Sequence, residues 1–309
     1  MKKPIKIILR IFGVALLVLL LAFLGLSWYV SSHKKELLAR VTAEASKLIG
    51  GKVTIEDVSV SLLNNFPSLS IQLKKIDVRD SMFANHGHSL FHAEKLFVRV
   101  NPIKLIIAKV SINKLEIDSG SFYLFTDSSS YTNTYLLKPK QKDHPSGKSS
   151  KLTDLIRKIE LRHFSVIQSD IQKDKLFDLY IDRFAADMKT VDGSYVIDIK
   201  ETILINSFAF KKNTGSYAEN RVFEGDFIVN FNPVSHQLAF DSIAVSISKQ
   251  PFRLTGLFKL GKEQDFFLRV NTKNMLLDFG KSLLTKKTAK GIGLVSVTAP
   301  LDVSAIGGD

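Results

Sequence analysis

Cysteine is absent from this chain of 309 residues. That one absence removes disulfides, thiolate metal centres and a cysteine nucleophile together. The compact signatures of catalysis are missing too: there is no G-x-S-x-G elbow and no H-E-x-x-H helix. Gly147-Lys148-Ser149 and Gly280-Lys281-Ser282 carry the tail of a phosphate-binding loop, but the glycine required five positions earlier is Lys142 in one and Met275 in the other. His86, His88 and His92 form the one metal-like group. They sit at a turn with only Glu94 as a nearby carboxylate, so incidental histidines fit better than a metal site. Asp77, Asp80, Asp182 and Asp187 fall at polar strand positions or turns, where carboxylates are usually solvated. No catalytic constellation emerges, and the chain reads as a non-enzyme without a cofactor.

Charge is missing from one stretch, Ile11 to Ser32, which runs 22 residues between Arg10 and His33. At about 1.5 Å per residue a helix of that length reaches roughly 33 Å, enough to cross a ~30 Å hydrocarbon core. Trp28, the only tryptophan, and Tyr29 sit at its far end as membrane-interface residues. Lys2, Lys3, Lys6 and Arg10 precede it without an acid, so the positive-inside bias keeps the N-terminus cytoplasmic and sends the body across. A cleaved signal peptide is the alternative. Its apolar region would be shorter and would end at a small-x-small site, which only Gly25-Leu26-Ser27 resembles. The chain as a whole carries +13, but beyond the anchor its lysines are scattered and form no run. That pattern suits a solvated surface or anionic lipid heads, and it gives no case for nucleic acid.

What is present in quantity is short-period hydrophobic alternation. Lys34–Ile49 reads as a helix with Leu37, Leu38, Val41, Ala45, Leu48 and Ile49 on one face, stopped by Gly50-Gly51. From Lys52 the period becomes two, and each run slips by one residue midway. Val53-Ile55-Val58-Val60 slips at Glu56-Asp57, and Ile71-Leu73-Ile76-Val78, preceded by Leu69, slips at Lys74-Lys75. The spacing recurs at Val110-Ile112-Leu115-Ile117 and Ile159-Leu161-Phe164-Val166. Looser copies occur at Leu179-Ile181-Phe184-Ala186 and Leu238-Phe240-Ile243-Val245. At 45% apolar content roughly one strict copy is expected by chance in ~300 residues, against four.

An extra residue in a strand is a β-bulge, which bends the strand and returns later apolar side chains to the same face. Repeated from strand to strand it predicts a long, bent antiparallel sheet with an apolar groove on one face. An ordinary sandwich whose strands bend at corners is the competing reading. Further strands are expected at Lys95–Asn101, Ser121–Thr126, Tyr195–Ile205, Val222–Phe231, Phe252–Leu260, Asp265–Thr272 and Gly293–Val303, with short helices near Pro102–Ala108 and Asn274–Leu284. The divisions are then a basic tail and transmembrane anchor (1–32), a juxtamembrane helix (33–51), a first β segment (52–126), a flexible polar loop (127–151) and a second β segment (152–309). The strand pattern reaches the last residues without a closing element, so further strands are expected beyond them.

Several stretches resemble the N-terminal region of the AsmA family of Gram-negative envelope proteins, related to TamB and YhdP. The most specific are Val58-Ser59-Val60-Ser61-Leu62-Leu63 leading to Phe66-Pro67-x-Leu69, and Leu90-Phe91-x-Ala93-x-Lys95-Leu96. VSINKLEIDSG and a loop with Asn133 and Tyr135 ahead of LLK add to them. The resemblance implies an inner-membrane-anchored, single-pass protein with a periplasmic β-rich body. It further implies an apolar β-groove carrying phospholipid between the inner and outer membranes. The expected partners are the inner-membrane bilayer, phospholipid cargo and outer-membrane assembly proteins. The groove lining would be Val53, Ile55, Val58, Val60, Leu69, Ile71, Leu73, Ile76, Val78, Val110, Ile112, Leu115, Ile117, Ile159, Leu161, Phe164 and Val166. A scaffold or regulator of outer-membrane protein assembly, binding by strand addition at a sheet edge, is the other function class.

Overall fold

The computed structural model describes residues 21, 25, 28, 29, 31–61, 69–100, 112–137, 156–260, 265–293 and 297–308. Most of Ile11–Ser32, the helix expected at Pro102–Ala108, residue Val110, the second half of the polar loop and the side chain of Leu69 lie outside the described residues. Among the described residues no helix is long and apolar enough to cross a membrane. Helical hydrogen bonds nevertheless run from His33 N–H to the Tyr29 carbonyl and from Leu37 N–H to that of His33. The chain is therefore already helical where it enters α1 (Lys34–Ile49).

α1 ends where the sequence predicts. Gly50 takes the left-handed conformation (φ 81°) and donates its N–H to the Ser46 carbonyl. Its packed face is rotated from the expected one. Ala45 and Ile49 meet the sheet beside Val53 and Val78, whereas Val41 and Leu48 point into solvent, 48% and 68% exposed. Ser46 Oγ accepts from the Val53 N–H, and Lys34 pairs with Asp57, so both ends of α1 are tied to the first strand.

Among the described residues the strands that follow form one 12-stranded sheet in which strand order equals chain order. The strands are β1 (Lys52–Ser61), β2 (Leu69–Arg79), β3 (Phe91–Val100), β4 (Ile112–Thr126), β5 (Ile156–Asp170), β6 (Lys175–Val191), β7 (Ser194–Ala209), β8 (Arg221–Asn232), β9 (Gln237–Ile247), β10 (Gln250–Lys259), β11 (Asp265–Met275) and β12 (Leu301–Gly308). Short helices α2 (Phe83–His86), α3 (Leu277–Ser282) and α4 (Lys286–Ile292) sit in the connections. Gly293–Val303 is therefore not a strand along its length; β12 begins only at Leu301.

One junction corrects the all-antiparallel expectation: β4 and β5 are parallel, paired from Ile112↔Ile156 to Thr126↔Asp170. Parallel neighbours require a crossover, and a 15-residue strand spans ~50 Å at about 3.3 Å per residue. The long polar loop after β4 supplies that return. Its described part, a 3₁₀ turn at Asn133–Leu137, seals the end of the sheet. Leu136 is buried with Val53, Val78 and Leu90, and the fully buried Asn133 bonds to β4 with both amide atoms.

The slips in the sequence are bends, and they are aligned. Pairing steps over Glu56 and Lys75 between β1 and β2, then over Glu94, Ser119, His163 and Asp182 through β6. Lys75, Ser119 and His163 adopt left-handed backbone (φ 48°, 59° and 50°), which places the extra residue without carrying the strand onward. A second bend occurs in β9 at Asp241-Ser242 (φ 48°), opposite Thr255 of β10. There Thr255 Oγ1 accepts from the Ser242 N–H and donates to Asp241.

Candidate functional site: an apolar trough

Register places side chains in rows that cross the sheet. Val53, Val78, Phe91, Phe122, Val166, Leu179 and Ile205 form one, and Ile55, Ile76, Ala93, Gly120, Phe164, Ile181, Ile203, Phe223 and Ile247 the next. Beyond the bend follow Val58, Leu73, Leu96, Ile117, Leu161 and Phe184. The fourth row is Val60, Ile71, Val98, Leu115, Ile159, Ala186, Ile199 and Phe227. A separate irregularity between Arg99 and Val100 steps over Asn113 and brings Ile112 opposite Val100, back onto the same face. Every expected lining residue with a described side chain thus lies on one face.

The rows nearest the bend are the floor. Ile76, Ala93, Phe164 and Ile181 on one side of it and Ile117 on the other are buried, while Val58, Val60, Ile71, Leu115 and Ile159 are only half-buried. Apart from neighbouring strands, the main packing partners of the sheet are α1 against β1 and the 3₁₀ turn against β4. α3 adds Phe279 at the far end. No second sheet closes over this face among the described residues, which answers the sandwich alternative. Glycines in these rows seat aromatic rings: a Cβ on Gly120 would lie 2.3 Å from the His92 carbonyl oxygen and 3.0 Å from the Phe164 ring.

The opposite face is mixed, with Phe97, Ile167, Tyr180, Leu204 and Val222 on it, and it carries the ion pairs. Arg99 and Lys114 reach Glu116 at 3.1 and 3.0 Å, and Lys114, Lys158 and Arg162 converge on Glu160. Burial opposes ionisation of Glu160, but the hydrogen bond and charge of Lys114, with Lys158 and Arg162, hold its carboxyl below the usual range.

The apolar lining falls into three packed groups, one at the α1 end built on Val53, Val78, Leu90 and Leu136 and two that succeed each other along the strand order. The first of these two, built on Ile76, Ala93, Ile117, Phe164 and Ile181, ends with Phe184 and Ile203. The second, built on Ile243, Val245, Phe252 and Met275, begins with Phe223 and Phe227. Between them stands Glu201. Strand alternation puts it on the apolar face of β7 between Ile199 and Ile203, with Phe184 and Gly225 as cross-strand neighbours. Burial alone pushes its carboxyl up from 4.5 to about 7. An open concavity of about 720 Å³ lies at the same strands, lined mainly by Arg183, Lys200, Thr202, Glu224, Asp226 and Ser246 of the opposite face, with Glu201, Gly225 and Val245 also bordering it. The sequence carries the signal for this residue, one acid in the apolar phase of Ile197-x-Ile199-x-Glu201-x-Ile203-x-Ile205, and the motif reading passes over it.

His86 and His88 stack with ring centroids 5.8 Å apart, but the three histidines take separate partners. His86 Nε2 lies 3.0 Å from both oxygens of Asp80, and its Nδ1 accepts from the His88 N–H. His88 stacks on Tyr123 with centroids 4.1 Å apart, and His92 turns to Glu94. Burial and the neighbouring His86 lower the His88 pKa. No group of three possible metal ligands occurs among the described residues. Asp77 and Asp80 differ from the solvated carboxylates expected: both are buried, paired with Arg79 and His86. Asn133 and Tyr135 act in the crossover, where Tyr135 Oη accepts from the Ser81 N–H. Trp28 and Tyr29 are exposed, 71% and 49%. No family model, curated protein or solved structure matches this chain.

Proposed function

We propose that this protein holds phospholipid by its acyl chains in the trough and helps move it between the inner and outer membranes of a Gram-negative envelope, in the manner of the AsmA-like proteins its sequence resembles. One observation carries the reading: the row Val60, Ile71, Val98, Leu115, Ile159, Ala186, Ile199, Phe227 stays apolar through eight consecutive strands, with no second sheet over it among the described residues. Apolar surface of that extent on a single protein needs a covering, and an acyl chain matches its shape and chemistry. The apolar N-terminal segment is the single-pass inner-membrane anchor, with the N-terminus cytoplasmic and the body periplasmic. Its helical junction with α1, itself fastened to β1, sets the first strands nearest the bilayer. The role is binding and transfer, not catalysis.

Native mass spectrometry of the detergent-extracted full chain tests this. Co-purified phospholipid is expected, and Val98→Asp, at a half-buried lining position, should remain folded and lose it, because a carboxylate there is desolvated by the chain it meets. Phospholipid-free protein, or a folded Val98→Asp variant with unchanged occupancy, overturns the reading. The scaffold alternative has one observation of its own. Among the described residues β12 pairs only with β11, and Val303 and Ile306 are exposed on it, so a partner strand could add there.

A further inference from the structure

The row through the trough floor is apolar from Val58 to Phe184 and resumes at Val245 and Phe252. β7 interrupts it with Glu201, while at Gly225 on β8 the Phe227 ring and Val245 fill the place of a side chain. Two of the packed groups of lining residues part at the same place. We propose that Glu201 controls passage along the trough: ionised, it separates a proximal stretch on β1–β6 from a distal stretch on β8–β11, and protonated, it lets an acyl chain lie across both. This inference rests on the lipid-binding reading and names the residue that governs it.

The physical argument has three parts. First, position: Glu201 is next to the bend line, in the row whose other members include the buried Ile117, Val245 and Phe252. It stands between the two rows that remain apolar past β7, Ile203–Phe223 and Ile199–Phe227, so a chain crossing β7 along this row meets its carboxyl group. Second, surroundings: β6 offers Ile181, Phe184 and Ala186 on this face, and β8 offers Phe223, Gly225 and Phe227. Arg221, at the end of β8 on the same face, is four residues along and stacks over Phe279. Arg183, Lys200, Glu224 and Asp226 border the concavity from the opposite face, and Lys200 is paired with Asp226 at 3.0 Å. No hydrogen bond or ion pair holds the Glu201 carboxylate among the described residues, so an arriving chain would strip its water with nothing in exchange. Third, the proton: burial shifts the carboxyl towards neutrality, and the side chain is only partly buried, so water can exchange a proton with it.

The test uses full-length protein in nanodiscs containing phosphatidylethanolamine and phosphatidylglycerol, with a photo-crosslinking amino acid at Leu96 (proximal) or Leu254 (distal). Crosslinked phospholipid is measured near pH 5.5 and near pH 8.5. Proximal capture should be similar at both values, and distal capture should fall at least fivefold at the higher one. Glu201→Gln should abolish that fall and Glu201→Asp should keep it. Distal capture independent of pH, or a fall that persists in Glu201→Gln, overturns the gate while leaving the lipid reading intact. Absence of capture at both positions and both values overturns the lipid reading and the gate with it.

Discussion

Replacing Asn133 tests how the crossover is held, and with it the parallel junction that keeps the trough continuous. Its Oδ1 accepts from the Phe125 N–H at 2.9 Å and its Nδ2 donates to the Tyr123 carbonyl at 2.8 Å. These are two backbone groups of β4 left over beyond the start of β3, whose pairing ends at Phe91↔Phe122. Asn133→Ala leaves both without a partner. An unpaired buried donor or acceptor costs ~1–3 kcal/mol, so with some water entering the loss should be about 2–4 kcal/mol. Asn133→Asp separates the two bonds. The carboxylate still accepts from Phe125 but sets a second oxygen against the Tyr123 carbonyl, and it buries a charge. It should therefore cost more than Ala near neutral pH and recover part of the loss near pH 4, where the protonated acid can donate again. Equilibrium urea unfolding supplies the energies, and hydrogen exchange of the peptide covering 121–126 locates the opening. A cost below about 0.5 kcal/mol for Ala, or an Asp variant no worse than Ala near pH 7, would refute the assignment.

Two further outcomes follow from single positions. Gly120→Ala puts a methyl 2.3 Å from the His92 carbonyl oxygen and against Phe164, so β3 and β4 must separate at the bend; thermal and urea unfolding should show a loss of roughly 2–3 kcal/mol. Glu201→Gln should change the pH dependence of stability. Because the folded carboxyl titrates at about 7 against 4.5 for the free group, the native state holds the extra proton, and stability is lost as pH rises from ~4.5 through ~7. Discounted for its partial contact with water, the effect is about 1–2 kcal/mol. The variant should be more stable than wild type near pH 8 and indistinguishable near pH 4; an equal difference at both would exclude the titration.

The bends were legible because a slip in alternation is local: Ile55 to Val58 and Leu161 to Phe164 show it within four residues. α1 was legible for the same reason, since Gly50 stops a 3.6-residue period. Its orientation was not, because Leu48 and Ile49 are equally apolar and only the sheet decides which one is covered. The parallel junction was hidden for a related cause. The face that Leu115, Ile117 and Phe122 present is the same whether their neighbour runs up or down, and the choice is made by where Asn133 and Leu136 dock. Asp80 and His86 gave no signal, since their pairing depends on the fold of the turn between β2 and β3.

Why the bends align also explains why Glu201 lies where it does. A strand that inserts a residue opposite a straight neighbour falls out of register with it, so a bend persists across a ladder only if each neighbour inserts one at the same height. Glu56, Lys75, Glu94, Ser119, His163 and Asp182 satisfy that condition pair by pair. At β7 it lapses. Pairing passes from Ile181↔Ile203 to Arg183↔Thr202, so β6 steps over Asp182 while β7 runs on through Ile203, Thr202 and Glu201. The bend is absorbed there as a one-sided bulge, and pairing between β8 and β9 then breaks off from Gly225↔Val245 until Asn230↔Ala239. The ladder is thus irregular at β7 and β8: the Phe227 ring and Val245 fill the place of a side chain at Gly225, and strand pairing opens just beyond it. A carboxylate can be accommodated at that point with water nearby, whereas in place of Ile117 or Phe164 it would be enclosed by packed side chains.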